Sequence, residues 1–590
     1  MTSERIVEVV RAIAIPRTSK PGTTESPLCR HGRYLSENLG DLFVVTRGFW
    51  SVHVLSVGLA ATLGFGLAGC GGSGGPAGAG GDGSPRTGGN LRLGLGVDPV
   101  CLDPQQSGIA DAINIERSIV DSLTAQDPKT NAIVPWLATS WQVSPDAAGF
   151  TFHLRSGVTF SDGSALTATT VRDNFDAVVR AGGRAPLAAS YLAGYRGTDV
   201  IDPLTARVRF GQPNAQFLQA TSTVSLGLLS SATLARPLAD RCVSGIIGSG
   251  PFVLDSYVPR QSVTVHRRAG YRWGPATARH TGDAYLDKIT YSIIPDGGVR
   301  AGALRSGQVG GVTALPVQDT SQVRQAGLTV ARKIIPGVVA CLSVNPFVSR
   351  PAIDDSSVRR AVVKAVNRAE VVGTVLSDDY KVATSILSAS TPGYADLGAS
   401  LAYDPAGARK LLDAAGWTAG PDGIRRRGGQ RLTLAVAWTT NGGPDQEVLE
   451  LIQQQLRQVG IELTLRQFVT GQAFPAMQRG IGDYAWGAGA FRTDPDILRA
   501  KIVLPGPVVP PAPGSPADRL NAALARQAAT VDDAQRRKVV DEAQRLAVDA
   551  GITVPVYEIP AVVGLAKDVR GFAFTASANL FLYDTWLGNG

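Results

Sequence analysis

From Phe49 to Gly69 the chain carries no Lys, Arg, Asp or Glu, with Arg47 just ahead of it and Leu67-Ala68-Gly69-Cys70 at its end. An apolar, charge-free stretch behind a basic residue is what an export machinery engages. Roughly 20 apolar residues could equally span a bilayer. The residues that follow favour cleavage. Cys70 to Asn90 is almost entirely Gly, Ser, Ala and Pro, reads as a flexible tether, and lacks the basic cluster that would hold a cytoplasmic flank. The fold therefore has to be made by the residues beyond this tether.

The small residues ahead of Cys70 resemble the bacterial lipobox, in which the cysteine is lipidated and becomes the first residue of the mature chain. On that resemblance 45–69 is a lipoprotein signal peptide, 70–90 the tether, and Cys70 the lipidation site. Met1 to Val44 is polar, mixed in charge and longer than an ordinary n-region. It is expected to be an extension ahead of a translation start near Val45, a genuine extended n-region being the alternative.

Single hydrophobic cores stop growing at roughly 250 to 300 residues, so 590 residues with 44 % hydrophobic composition imply two or three domains. The high Gly 68 and Pro 36 follow no three-residue period, which excludes collagen and places the excess in turns and the tether. The formal charge of +8 comes from Lys+Arg 57 and Asp+Glu 49 interspersed along the chain. No run of five or six basic residues occurs, and nucleic acid is not an expected partner. Arg267-Arg268, Arg359-Arg360, Arg425-Arg426-Arg427 and Arg536-Arg537-Lys538 read as ordinary surface residues. Cys101, Cys242 and Cys341 are left in the exported part, which admits one disulfide with a free buried thiol or three reduced core cysteines.

Beyond the tether, Leu91 to Leu95 reads as a first strand and Ile113 to Leu123 as a helix; Phe150 to Leu154 alternates as a strand, and Thr167 is placed to cap a helix buried through Val171, Phe175 and Val178. The region 249–335 is expected to be mainly sheet, with a helix near Ala301 to Ser306. Asp355 to Val372 reads as one helix. Asp404 caps another, with Pro405 at its first position, where no amide is needed. Strand Leu432 to Val436, helix Gln446 to Gln458 and strand Ile461 to Leu465 make a βαβ-like passage. Pro507 to Pro516 is a loop, Asp532 caps a helix reaching Ala550, and Thr553 to Tyr557 returns as a strand.

Several of these blocks resemble one family in order and spacing. They are Ile133-Val134-Pro135-Trp136-Leu137-Ala138-Thr139-Ser140-Trp141, Phe152 to Gly163, Gly248-Ser249-Gly250-Pro251-Phe252, Tyr285-Leu286-Asp287-Lys288, Val358-Arg359-Arg360-Ala361 with Asn367-Arg368, and Tyr403-Asp404-Pro405 through Trp417. The chain resembles the peptide/nickel class of extracytoplasmic solute-binding proteins of ABC transporters, family 5. The resemblance implies an α/β, periplasmic-binding-protein-like two-lobed fold of type II with an additional inserted domain. Carried onto this chain, lobe I comprises 91–127, 249–336 and 553–590, the insertion 128–248, and lobe II 337–552. Gly310 stands where relatives usually have an aspartate after Ser306-Gly307-Gln308-Val309, and Phe491 to Asp496 departs from the family's spacing around its first aspartate.

The implied function is the substrate-binding component of an ABC importer that captures an oligopeptide or peptide-like solute. Its partners are then a permease and ATPase complex, the ligand, and the membrane through the lipid anchor, on the outer face of the bacterial cytoplasmic membrane. A monomer is expected. The alternative is a cell-surface sensing module uncoupled from transport. Alignment of the block Gly482-Asp483-Tyr484 brings Asp494 onto the aspartate that pairs with a peptide's amino group in relatives, with Phe491 as an aromatic wall and Arg492 placed to meet a carboxylate. No enzyme motif is present: Gly71 to Gly83 lacks the Gly-Lys-Ser/Thr ending of a phosphate loop, and His153, His266 and His280 are dispersed. No catalytic residue, cofactor or metal is expected.

Overall fold

The computed structural model describes residues 84–439, 443–469, 472–502 and 513–589. The extension 1–44, the signal segment 45–69, Cys70, the tether up to residue 83 and most of the Pro507–Pro516 loop lie outside these residues.

Leu91, Leu93 and Leu95 alternate into the interior of the first strand, Asn90–Leu95, each at 1 % exposure or less, which is what the two-residue period of a strand demands. That strand sits inside a seven-stranded sheet in the order Thr329–Ile334, Pro560–Leu565, Gly311–Val312, Asn90–Leu95, Lys288–Ile293, Ser262–Arg267, Phe252–Val258. Asn90–Leu95 runs parallel to Lys288–Ile293, with Leu93 opposite Tyr291. Phe150, Phe152 and Leu154 alternate in the same way in a separate four-stranded antiparallel sheet spanning Ala138 to Phe210, covered by the helix Ala168–Ala181. One continuous apolar core joins these two sheets.

A second core belongs to a six-stranded sheet in the order Lys381–Val382, Thr553–Glu558, Gly337–Val344, Tyr484–Ala490, Thr433–Thr439, Glu462–Phe468. The βαβ passage is present: Thr433 pairs with Glu462 in parallel register, and the helix Asp445–Gln458 connects the two strands. Asp404 accepts the Gly407 amide at 2.7 Å and Asp532 the Gln535 amide at 2.8 Å, so both helices start where their caps place them.

Two readings of the sequence change. The expected helix Asp355 to Val372 is broken into Ser356–Ala365 and Arg368–Val375, because the Asn367 side chain accepts the Glu370 amide at 3.2 Å and begins a new helix. Thr553–Glu558 runs antiparallel to Gly337–Val344 in the second sheet, so the chain returns to the first sheet after Glu558 and not at Thr553. The two crossings between the sheets lie side by side, tied by the Ile335 amide donating to the Ile559 carbonyl at 2.8 Å.

The glycines of Gly248-Ser249-Gly250 have a steric reason. A Cβ on Gly248 would lie 2.1 Å from the Ile119 carbonyl oxygen and one on Gly250 2.6 Å from it, so only glycine allows this backbone to approach the helix Ala110–Ile119. Cys101 and Cys242 form a disulfide across this same region, with the buried Asp103–Arg241 ion pair at 3.1 Å beside it, while Cys341 is a free, buried thiol.

Candidate functional site

A cavity of about 360 Å³ is lined from both halves of the molecule. The first half and its inserted sheet domain supply Arg117, Trp136, Tyr191 and the run Ser222 to Ser225, and the chain's last part supplies Ala573 to Ser577 and Phe581. Phe491 and Arg492, directly after the strand Tyr484–Ala490, close it from the second half. The volume falls in the range of about 300 to 1,000 Å³ usual for small-molecule sites, and the mixture of aromatic walls with a few charged groups is their usual chemistry.

Arg117 is held in place by donating to the Ser122 hydroxyl at 3.0 Å and the Ser222 carbonyl at 3.1 Å, and it lies over the Trp136 ring at 5.0 Å. Burial pushes its pKa down to about 10, with Asp121 the largest opposing influence. Arg492 donates to the Ser190 hydroxyl at 2.8 Å and lies 4.7 Å from the Tyr191 ring centre, reaching across to the inserted domain. Lys129 and Arg279 add two exposed cations to the lining. Among the described residues none of these four side chains is in an ion pair, whereas the exposed Arg350, the half-buried Arg427 and the largely buried Arg536 each hold a carboxylate.

The cavity's two acids are already engaged. Asp584, at 3 % exposure, takes the Arg279 amide at 3.1 Å and His280 Nδ1 at 2.9 Å. Asp127 accepts the amides of Lys129 and Thr130 at 2.8 and 2.7 Å, and these bonds hold its pKa below the usual carboxylate value.

Of the residues singled out from the sequence, Phe491 and Arg492 line the cavity and Asp494 does not. Asp494 is buried, and its two oxygens accept from both terminal nitrogens of Arg536 at 2.7 and 2.8 Å. The carboxylate assigned to a ligand's amino group is thus taken by a guanidinium of the chain itself. Phe491 has a φ of 65°, a left-handed backbone that a bulky residue adopts only when its surroundings enforce it. The enforcing contacts are next to it. Thr493 is hydrogen-bonded by Gln219 Nε2 at 2.5 Å and itself donates to Gln126, so Phe491 to Asp494 is tied on one side to the first half and on the other to Arg536.

Sequence reasoning missed Arg117, Lys129, Arg279 and the 573–581 segment. Trp136 stood inside a recognised block, and an aromatic in such a block was the one available signal. Arg117 looked like any charge on an amphipathic helix. Among the described residues no group of three His, Cys, Asp or Glu side chains could hold a metal ion, and no helix is long and apolar enough to cross a membrane.

Comparison with known proteins agrees with this geometry. A family profile described as bacterial extracellular solute-binding proteins, family 5 Middle, matches residues 132–500. The glutathione-binding protein GsiB of Escherichia coli O6:K15:H31 is 27 % identical over 412 residues, covering 68 % of this chain and 74 % of that protein. Among solved structures, NikA from Brucella suis in complex with Fe(III)-EDTA superposes with a TM-score of 0.72 at 22 % identity, covering 84 % of this chain and 99 % of that one. The oligopeptide-binding protein AppA from Bacillus subtilis, in complex with a nonapeptide, gives 0.68 at 19 % identity over 86 % of this chain and 100 % of that one. The two sheets, each with its own core, are therefore the two lobes of a periplasmic-binding-protein-like α/β fold. With the profile spanning well over half of its length, this chain belongs to the bacterial extracellular solute-binding proteins, family 5.

Proposed function

We propose that the chain is the solute-capturing component of an ABC importer, held at the outer face of the cytoplasmic membrane by lipid on Cys70, and that it takes up a peptide or peptide-like solute. The observation that carries this reading is the cavity itself, lined by Arg117, Trp136 and Tyr191 from one lobe and by Phe491 and Arg492 from the other. A site divided in this way is complete only when the lobes approach, so a solute that touches both shifts the population toward the closed shape that a transporter can recognise. Relatives named for glutathione and for oligopeptides support a peptide-like solute. The protein acts on the solute by enclosing it and returns it unchanged.

Solution scattering of the purified chain with and without the solute that co-purifies with it tests the capture reading, and a smaller radius with solute is expected. An unchanged radius, or a product accumulating beyond one equivalent, would overturn it. The anchor is tested separately by mass spectrometry of the mature N-terminal peptide, which should begin at an acylated Cys70. Lipid attachment contributes about 0.8 kcal/mol per buried CH₂.

A further inference from the structure

The charge lining the cavity is unbalanced. Arg117, Lys129, Arg279 and Arg492 face Asp127 and Asp584, which leaves two positive charges in excess. The acids are also less available than the cations. Asp584 is buried beneath His280 and the Arg279 amide, and Asp127 is engaged by two amides of its own loop. A buried carboxylate close to the cavity wall, Asp494, is paired with Arg536. Both acids of the wall are thus hydrogen-bonded to backbone amides, while four cations, none of them in an ion pair among the described residues, line the same space.

Elsewhere in the molecule a buried guanidinium is discharged by a carboxylate or by several carbonyls. Arg241 has Asp103 at 3.1 Å, and Arg368 donates to the carbonyls of Pro555, Val366 and Leu401 at 2.6, 3.1 and 2.7 Å. Arg117 has one hydroxyl and one carbonyl, its nearby acid Asp121 being bonded to Ser249 and Trp273, and Arg492 has one hydroxyl, so both keep donors unused. Desolvating such groups as the lobes close is unfavourable unless the occupant brings the opposite charge. The apolar part of the wall, Trp136 with Phe491, Phe574 and Phe581, calls for an occupant that also has a hydrocarbon body.

Resting on the capture reading above, we propose that the occupant is a peptide-like polyanion: a small solute with two or more carboxylates. Its carboxylates, and not an ammonium group, make the charged contacts. Arg117 and Arg492, fixed by Ser122, Ser222 and Ser190, are the orienting pair, one on each lobe. Lys129 and Arg279, exposed at the rim, attract the solute from solution and set its dependence on salt.

Calorimetry on the purified full chain with three probes tests the proposal: N-acetyl-diglutamate, trialanine and trilysine. N-acetyl-diglutamate should bind at least about tenfold tighter than trialanine, with an affinity that falls as salt is raised, and trilysine should not bind. The exposed double substitution Lys129→Gln with Arg279→Gln should flatten the salt dependence of N-acetyl-diglutamate binding without changing the melting temperature, and a salt dependence as steep as that of the unmodified chain would overturn the role given to these two cations. Trialanine or trilysine binding as tightly as N-acetyl-diglutamate overturns the anion proposal and leaves solute capture standing. Mass spectrometry of solutes released from the gently purified chain gives an independent arm: a polycarboxylate supports the proposal and a neutral or cationic solute overturns it. A chain that binds no probe and releases no solute overturns the capture reading as well.

Discussion

Asp494 and Arg536 show how one residue's role is decided by a partner 42 positions away. An isolated buried carboxylate is unfavourable by several kcal/mol, and two parallel charge-assisted hydrogen bonds from Arg536 offset this. The pair anchors the stretch that presents Phe491 and Arg492 to the cavity. Asp494→Asn should accordingly lower unfolding stability by about 3 to 5 kcal/mol in urea titrations, because it leaves a nearly buried guanidinium unpaired. A loss below about 1 kcal/mol would show the pair to be dispensable. The arginine clusters make the same point. Read as surface residues, they contain arginines that work inside: Arg268 donates to the Ser249 and Phe160 carbonyls at 3.0 and 2.7 Å, and Arg425 to those of Val459 and Trp417 at 3.0 and 2.6 Å. Arg359 reaches the Ile353 and Ala550 carbonyls at 2.7 and 3.0 Å. Nothing in the local sequence distinguishes these from their exposed neighbours, since the acceptors arrive from elsewhere in the chain.

The helix Ala110–Ile119 carries unusual chemistry on its buried face. Glu116 has 0 % exposure, and the Ser107 hydroxyl beside it only partly offsets the cost of burying its carboxyl group. Burial pushes its pKa from 4.5 up to about 8, so the native helix holds a neutral acid at neutral pH. The unfolded chain ionises near 4.5 and the folded chain only near 8. Below about 4.5 both states are protonated and Glu116 imposes no penalty. Between these values the unfolded state is increasingly favoured, and above 8 the penalty is fully developed, on the order of a few kcal/mol. Glu116→Gln should therefore melt close to the unmodified chain at pH 4.5 and well above it at pH 8, as read by thermal unfolding across that range. A gap that stays constant with pH would show that Glu116 does not titrate in this way. Neighbouring backbone explains why the helix tolerates so tight a setting: Gly248 and Gly250 bring their chain against the Ile119 carbonyl, and the sequence announced this through the pair of glycines without revealing what they approach.

At the scale of the whole molecule, the disulfide Cys101–Cys242 closes a sequence separation of 141 and joins the first lobe's opening loop to the end of the inserted domain. Chain-entropy reasoning gives a stabilisation of up to about 5 kcal/mol for a loop of that size. Reduction, or Cys101→Ser with Cys242→Ser, should lower the melting temperature of the purified chain by several degrees, and an unchanged value would show the link to be thermodynamically silent. Much of the architecture was legible beforehand because it depends on local pattern. Alternating leucines set the first strand, Asp404-Pro405 and Asp532 started their helices, and the spaced blocks fixed the family and with it the two lobes. What the sequence could not contain was pairing across distance: which of two sheets would take Thr553–Glu558, and which two cysteines would meet. The cavity belongs to this second kind. Its polarity rests on which carboxylates were already spoken for, and only the folded chain, by setting Arg536 on Asp494 and leaving Arg117 and Arg492 outside any ion pair among the described residues, decides that balance of charge.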